Sequence, residues 1–237
     1  MVVLCYFKSI YLPDYYADMN DLHVDSVTKN YGLKQVLTDV FISCKKDEII
    51  GLLGRNGSGK STLLKIIFGS ISADYKFVRI GKQQLEGVHD NRKLVKYLPQ
   101  FNFLPDHLKI SKIIALFCDK SNSERFKSDK HISPFLDKCV KQLSGGERRL
   151  LEIMLIIHSD ADYILLDEPF NGVAPLYREE IKNLIKQYSG SKGFIVTDHD
   201  YRNILDIATK TILVHDGGTR EIKDKKELVL FGYVHLF

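Results

Sequence analysis

Eight consecutive residues, Gly54-Arg55-Asn56-Gly57-Ser58-Gly59-Lys60-Ser61, constrain this chain more than any other feature. They match the spacing G-x-x-x-x-G-K-[ST]. A short apolar run, Ile49 to Leu53, precedes them, and a helical run, Ser61 to Phe68, follows, with Gly69 placed to end it. Strand, glycine-rich turn and helix in that order make a phosphate cradle. The glycines let backbone N–H groups turn inward on phosphate oxygens, and the helix start adds its positive end. The motif assigns Lys60 to the β- and γ-phosphates and Ser61 to Mg2+.

Two further apolar runs, Tyr163 to Leu166 and Gly193 to Val196, also lack alternation. Such runs predict strands buried on both faces of a parallel sheet, and each is followed by polar residues and then a helical stretch, an α/β pattern. Leu22 to Val27 alternates and Val36 to Ile42 is strand-like. These suit an antiparallel edge sheet with one solvated face. Between Gln100 and Leu143 the chain changes character. Helical candidates such as Ser111 to Cys118 and a polar segment, Asp119 to Lys130, predict an inserted helical lobe. After His199 a helix (Tyr201 to Ala208), a strand (Thr211 to Val214), a Gly217-Gly218 turn and a charged tail region are expected.

Composition narrows the class. A chain of 237 residues with 44% hydrophobic and 27% charged residues is globular, which excludes disordered, collagenous and coiled-coil chains. Thirty-four Lys and Arg against 30 Asp and Glu leave a net charge of +4, without the clustering that a nucleic-acid surface needs. Cys5, Cys44, Cys118 and Cys139 form no CxxC pair, which favours a reduced cytosolic compartment. No apolar stretch approaches the ~18 residues of a membrane span. Met1 to Leu12 is apolar but short, carries Lys8 and lacks a small-residue cleavage site, so it is not read as a signal peptide.

Two more motifs carry chemistry. Tyr163-Ile164-Leu165-Leu166-Asp167-Glu168 is an apolar strand ending in two carboxylates. Asp167 suits Mg2+ or its water shell, and Glu168 suits polarisation of an attacking water. Leu143-Ser144-Gly145-Gly146-Glu147 opens a helix expected over Arg148 to Ile157. Ser144 and Glu147 have capping-box spacing, and the two glycines leave backbone N–H groups open to an anion.

In this order the three motifs resemble those of the ABC ATPases, from about residue 22 onward, with LSGGE the most diagnostic. The resemblance implies a P-loop NTPase core with an antiparallel edge sheet and a helical lobe at about 101–157. Residues 21–237 would form that domain behind an extension, 1–20, of unassigned role. It implies ATP and Mg2+ as cofactors. Tyr31 looks like the aromatic that stacks on adenine. Gln100, in Tyr97-Leu98-Pro99-Gln100, looks like the glutamine that touches Mg2+ and senses a transmembrane partner. His199, in Thr197-Asp198-His199-Asp200, looks like the switch histidine near the γ-phosphate. The implied nucleotide set is Tyr31, Gly54, Arg55, Asn56, Gly57, Ser58, Gly59, Lys60, Ser61, Thr62, Gln100, Ser144, Gly145, Gly146 and Glu147. Ser61, Gln100 and Asp167 would hold the metal, and Lys60, Glu168 and His199 would act in hydrolysis.

One departure stands out. The family usually carries an Asp about six residues after the glutamate, where this chain has Ala174, in Glu168-Pro169-Phe170-Asn171-Gly172-Val173-Ala174-Pro175. This loop, the Thr-Asp-His-Asp switch and the stretch from Phe231-Gly232-Tyr233 to Phe237 are most similar to the ATPases of branched-chain amino-acid import and lipopolysaccharide export. The family mechanism implies a head-to-tail pair of chains sandwiching two ATP molecules, because the signature helix is too far from its own P-loop. It also implies separate transmembrane permease subunits, no nucleic-acid partner, and a cytoplasmic location on the inner face of the membrane. A short partner helix would dock between Gln100 and the signature, where Phe101, Phe103, Leu104 and Pro105 supply apolar content, with core packing of the lobe the alternative for any one of the aromatics. The alternative is a soluble ATPase of the same type, acting in repair, assembly or translation. A third class, a P-loop binding module without catalysis, is opposed by Glu168 and His199.

Overall fold

The computed structural model describes residues 20–118 and 120–233. The expectation for residues 1–20 therefore lies outside the described residues apart from Asn20, as do the last four residues of the C-terminal stretch. Among the described residues, ten strands and eight α-helices form two sheets with helices packed between and beside them. The smaller sheet is antiparallel, in the order β2 (Lys34–Cys44), β1 (Leu22–Tyr31), β4 (Tyr75–Ile80), β5 (Gln83–Gln84). The larger runs β10 (Gly218–Ile222), β9 (Lys210–His215), β3 (Ile49–Leu53), β8 (Gly193–Thr197), β7 (Tyr163–Asp167), β6 (Val95–Leu98). All its neighbouring pairs are parallel except β9 with β10.

The absence of alternation in the central strands has a direct cause. Ile50, Leu52, Tyr163, Leu165 and Ile195 face one apolar cluster, shared with the antiparallel sheet and with α1 (Lys60–Phe68). Ile49, Leu53, Ile164, Leu166, Phe194 and Val196 face a second cluster. That one is shared with α5 (Gly145–Ile157), α6 (Pro175–Ser189) and α7 (Tyr201–Leu205). Both sides of each strand are thus buried, as parallel sheets require.

The lobe contains α3 (Ile110–Phe117), α4 (Lys120–Lys127) and two 3-10 turns, Ser133–Phe135 and Val140–Gln142, before α5. Within the polar segment Lys120–Lys127 is helix, and its Phe126 packs edge-on against His158. The helix after His199 stops at Leu205, three residues earlier than expected, and Asp206 there accepts a bond from Lys182 on α6 at 2.8 Å. The charged tail holds α8 (Lys225–Leu230), started by an Asp224–Glu227 capping box. A four-residue helix, α2 (Val88–Asn91), precedes β6. No helix among the described residues is long and apolar enough to cross a membrane.

The carboxyl ends of β3, β6, β7 and β8 come out on one edge of the larger sheet. They carry Gly54 onward, Pro99-Gln100, Asp167-Glu168 and Thr197-Asp198-His199 respectively. Open parallel sheets bind ligands at that edge.

Candidate functional site

A cleft of about 360 Å3 opens at that edge. The residues that line it include Tyr31, Asn56 through Thr62, Gln100, Glu168 and His199. Its floor is the turn between β3 and α1. Gly57 at φ 78° and Gly59 at φ 101° adopt the left-handed conformation open to glycine, and a side chain at 59 would meet Leu37 at 2.7 Å. Lys60 begins α1 and is buried. Its Nζ donates to Gly54 O at 2.6 Å and Arg55 O at 3.1 Å. Burial pushes its ammonium below the ordinary lysine value, while Glu168 and Asp167 pull the other way. Among the described residues no carboxylate pairs with it directly, so this desolvated cation suits an anion.

Asp167 is fully enclosed. Its Oδ1 accepts from Ser61 Oγ at 2.9 Å and Thr197 Oγ1 at 3.0 Å, and its Oδ2 accepts from Tyr97 OH at 2.9 Å. Burial and Asp167 itself hold the Tyr97 hydroxyl protonated, so it remains a donor. Ser61 and Asp167 thus present adjacent hard oxygens, the donor set that Mg2+ prefers. No cluster of three or more His, Cys, Asp and Glu is found among the described residues. The donors present therefore suit a metal that completes its shell with phosphate and water oxygens.

Glu168 stands at the rim with φ 50°, a conformation uncommon outside glycine and frequent at functional sites. Its backbone N–H donates to Thr197 O and Oγ1, both at 3.1 Å. Its Oε2 accepts from Gln100 Nε2 at 2.6 Å and lies 2.7 Å from His199 Nε2. Asn171 Nδ2 reaches the same oxygen at 3.4 Å. The structure therefore brings Gln100, Glu168 and His199 together, beside Lys60 and Ser61. Tyr31 stands 48% exposed at the mouth, with Lys29 Nζ 5.2 Å from its ring centre.

Other residues of the expected set lie elsewhere. Arg55 does not line the cleft, and its Nη2 donates to Gly232 O at 2.7 Å. Ser144, Gly145, Gly146 and Glu147 do not line the cleft. Ser144 caps α5, its N–H donating to Glu147 Oε2 at 2.7 Å and its Oγ accepting from Glu147 N at 3.3 Å. A side chain at 146 would meet the Tyr177 ring at 2.5 Å, whereas nothing lies within 4 Å of one at 145. Ala174 is the N-cap of α6 and supplies no side-chain cap, with Pro175 beginning the helix. Of the four apolar residues expected at a docking surface, Phe101 is 79% exposed. Leu104 is not available, since it is buried in the core, and Phe103 packs against that core and Phe117.

Sequence reading missed a buried pair behind the site. Arg149 Nη2 donates to Asp167 O at 3.0 Å and Glu168 O at 3.2 Å, while Nη1 donates to Pro99 O at 2.9 Å and Glu152 Oε2 at 3.3 Å. Glu152, 0% exposed, accepts from Phe103 N at 3.0 Å through Oε1. One guanidinium thus joins the signature helix to both carboxylate-bearing carbonyls and to the residue before Gln100. The signal available was Glu152, which interrupts the apolar run Leu150 to Ile157, with Arg149 three positions before it.

A family model described as ABC transporter matches residues 37–171. The lipopolysaccharide export system ATP-binding protein LptB of Haemophilus influenzae is 31% identical over 213 residues, covering 84% of this chain and 88% of that protein. LptB of Escherichia coli K12 has the same identity and coverage. A solved structure described as the ATP-binding subunit of an ABC transporter superposes with a TM-score of 0.79 at 21% identity, over 91% of this chain and 95% of that one. A nucleotide-free ATP-binding cassette superposes with a TM-score of 0.74 at 21% identity, over 92% and 96%. At such identities the superpositions speak for the fold alone.

Proposed function

This chain belongs to the ABC transporter family, as an ATP-binding subunit that hydrolyses ATP to power a membrane transporter, and from that premise we propose how its own residues divide the work. Lys60 and the backbone of Gly57 to Ser61 hold the phosphates, and Tyr31 stacks on the base. Ser61, Asp167 and Gln100 would hold Mg2+, which when bound would offset charge that develops on the phosphate oxygens. Glu168 orients and polarises the attacking water as general base. Gln100 and His199 fix its carboxylate through Oε2, and His199, which lines the cleft, would face the γ-phosphate. The observation that carries this reading is the meeting of Gln100, Glu168 and His199 at one carboxylate oxygen in the cleft that the buried Lys60 also lines.

The capped start of α5 lies outside its own chain's cleft and completes the site of a second copy placed head to tail, with ATP between them. The partners are transmembrane permease subunits, which place the pair on the inner face of the membrane. Their docking surface includes Phe101 with Leu116 and Phe117 at the end of α3, all exposed. Arg92, Lys93 and Lys96 line a cleft of about 500 Å3 beside Phe117.

Lys60→Ala removes the buried cation. Titration calorimetry with MgATP is expected to show binding abolished or severely weakened. Parent affinity in that variant would overturn the assignment of the phosphate site.

A further inference from the structure

We propose that Gly232 and Tyr233 clasp the phosphate-binding turn and the His199 loop together from behind, with Tyr233 as a positioning residue. Tyr233 is placed by the end of α8. Gly232, at φ 61°, donates its N–H to Val229 O at 2.9 Å, and Tyr233 N donates to Leu228 O at 2.8 Å. This is the paired-bond glycine ending of a helix, and it fixes where the next side chain goes. Phe231 anchors the same end against the β9–β10 hairpin, 5.9 Å from the His215 ring and 4.9 Å from the Arg220 guanidinium.

From there Tyr233 reaches two loops. It lines another cleft with Arg55, Asn56, Gly57 and Ser58 of the phosphate-binding turn. Its ring packs edge-on against Tyr201 at 6.4 Å, and Tyr201 opens α7 two residues after His199. Arg55 Nη2 ties the turn to Gly232 O, and a side chain at 232 would stand 3.4 Å from that nitrogen. The C-terminal helix therefore reaches both loops that flank the Lys60 cleft without lining that cleft itself.

The inference rests on the reading of residues 54–61 as the phosphate site, and it separates two effects. Arg55→Met deletes the tie from the turn to Gly232 O. It is expected to raise KM for MgATP about two- to tenfold, the worth of one hydrogen bond, with kcat unchanged. Tyr233→Leu deletes the ring pair with Tyr201. It is expected to lower kcat about two- to tenfold, the worth of an aromatic pair, because Tyr201 loses its support behind His199. Steady-state phosphate release on the full chain measures both, with the urea midpoint measured beside it. A C-terminal helix that only stabilises the fold would shift the midpoint and leave KM and kcat at parent values, which would overturn the clasp. A parent chain that binds no ATP would remove the phosphate-site reading and the clasp together. A parent that binds ATP while both variants match it would remove the clasp alone.

Discussion

Glu168→Gln is expected to keep ATP affinity while losing hydrolysis by about 10²-fold or more, the contribution of a general base. The amide preserves size and can still accept from Gln100 and face His199, so the ring of contacts around Oε2 survives. What is lost is the negative charge that draws a proton from water. Asp167→Asn provides the contrast. Its two oxygens accept from Ser61, Thr197 and Tyr97, three donors that leave no place for an amide N–H. Its loss should appear first as weaker Mg2+-dependent binding. Phosphate release at saturating MgATP, with affinity measured alongside, distinguishes them. Hydrolysis at the parent rate by Glu168→Gln would reassign the base.

Arg149→Ala is expected to cost about 3–5 kcal/mol of stability, the penalty for leaving one member of a buried ion pair alone. Glu152 is enclosed and would keep only the Phe103 and Leu104 N–H groups and the more distant Arg148 Nε, 3.5 Å away. The carbonyls of Pro99, Asp167 and Glu168 would also lose their donor. A companion variant separates packing from positioning. Arg149→Met with Glu152→Met removes both charges and retains volume, so most of the stability should return. Hydrolysis should stay low, because nothing then ties the two carboxylates to the residue before Gln100. Urea midpoints and phosphate release on both variants test this. A parent midpoint in Arg149→Ala would show that the pair contributes nothing to folding.

The parts of this fold that were legible in sequence are those whose burial is two-sided or whose motif is contiguous. Ile49–Leu53, Tyr163–Asp167 and Gly193–Thr197 read as strands because no position faces water. β6 passed unread because it has four residues, and Lys96 and Tyr97 within it are only partly buried. β4 passed unread because Tyr75 and Phe77 face outward and blur the alternation. In the site, local motifs expose the turn residues and the paired carboxylates directly. Tyr97, Thr197 and Arg149 meet Asp167 and Glu168 only through tertiary pairing of β6, β7, β8 and α5, so no spacing announces them. The tie from Arg55 to Gly232 spans 177 positions and is a consequence of the finished fold.

The central claim is that ATP bridges two copies, the cleft of one chain closed by the signature of the other. Light scattering of Glu168→Gln measures it most directly, because slow hydrolysis preserves any ATP-bound pair. The account predicts a monomer mass without nucleotide and a doubled mass with MgATP, the doubling lost when Ser144→Arg is added at the start of α5. A mass that ignores ATP, or a doubling that survives the change at Ser144, would contradict it.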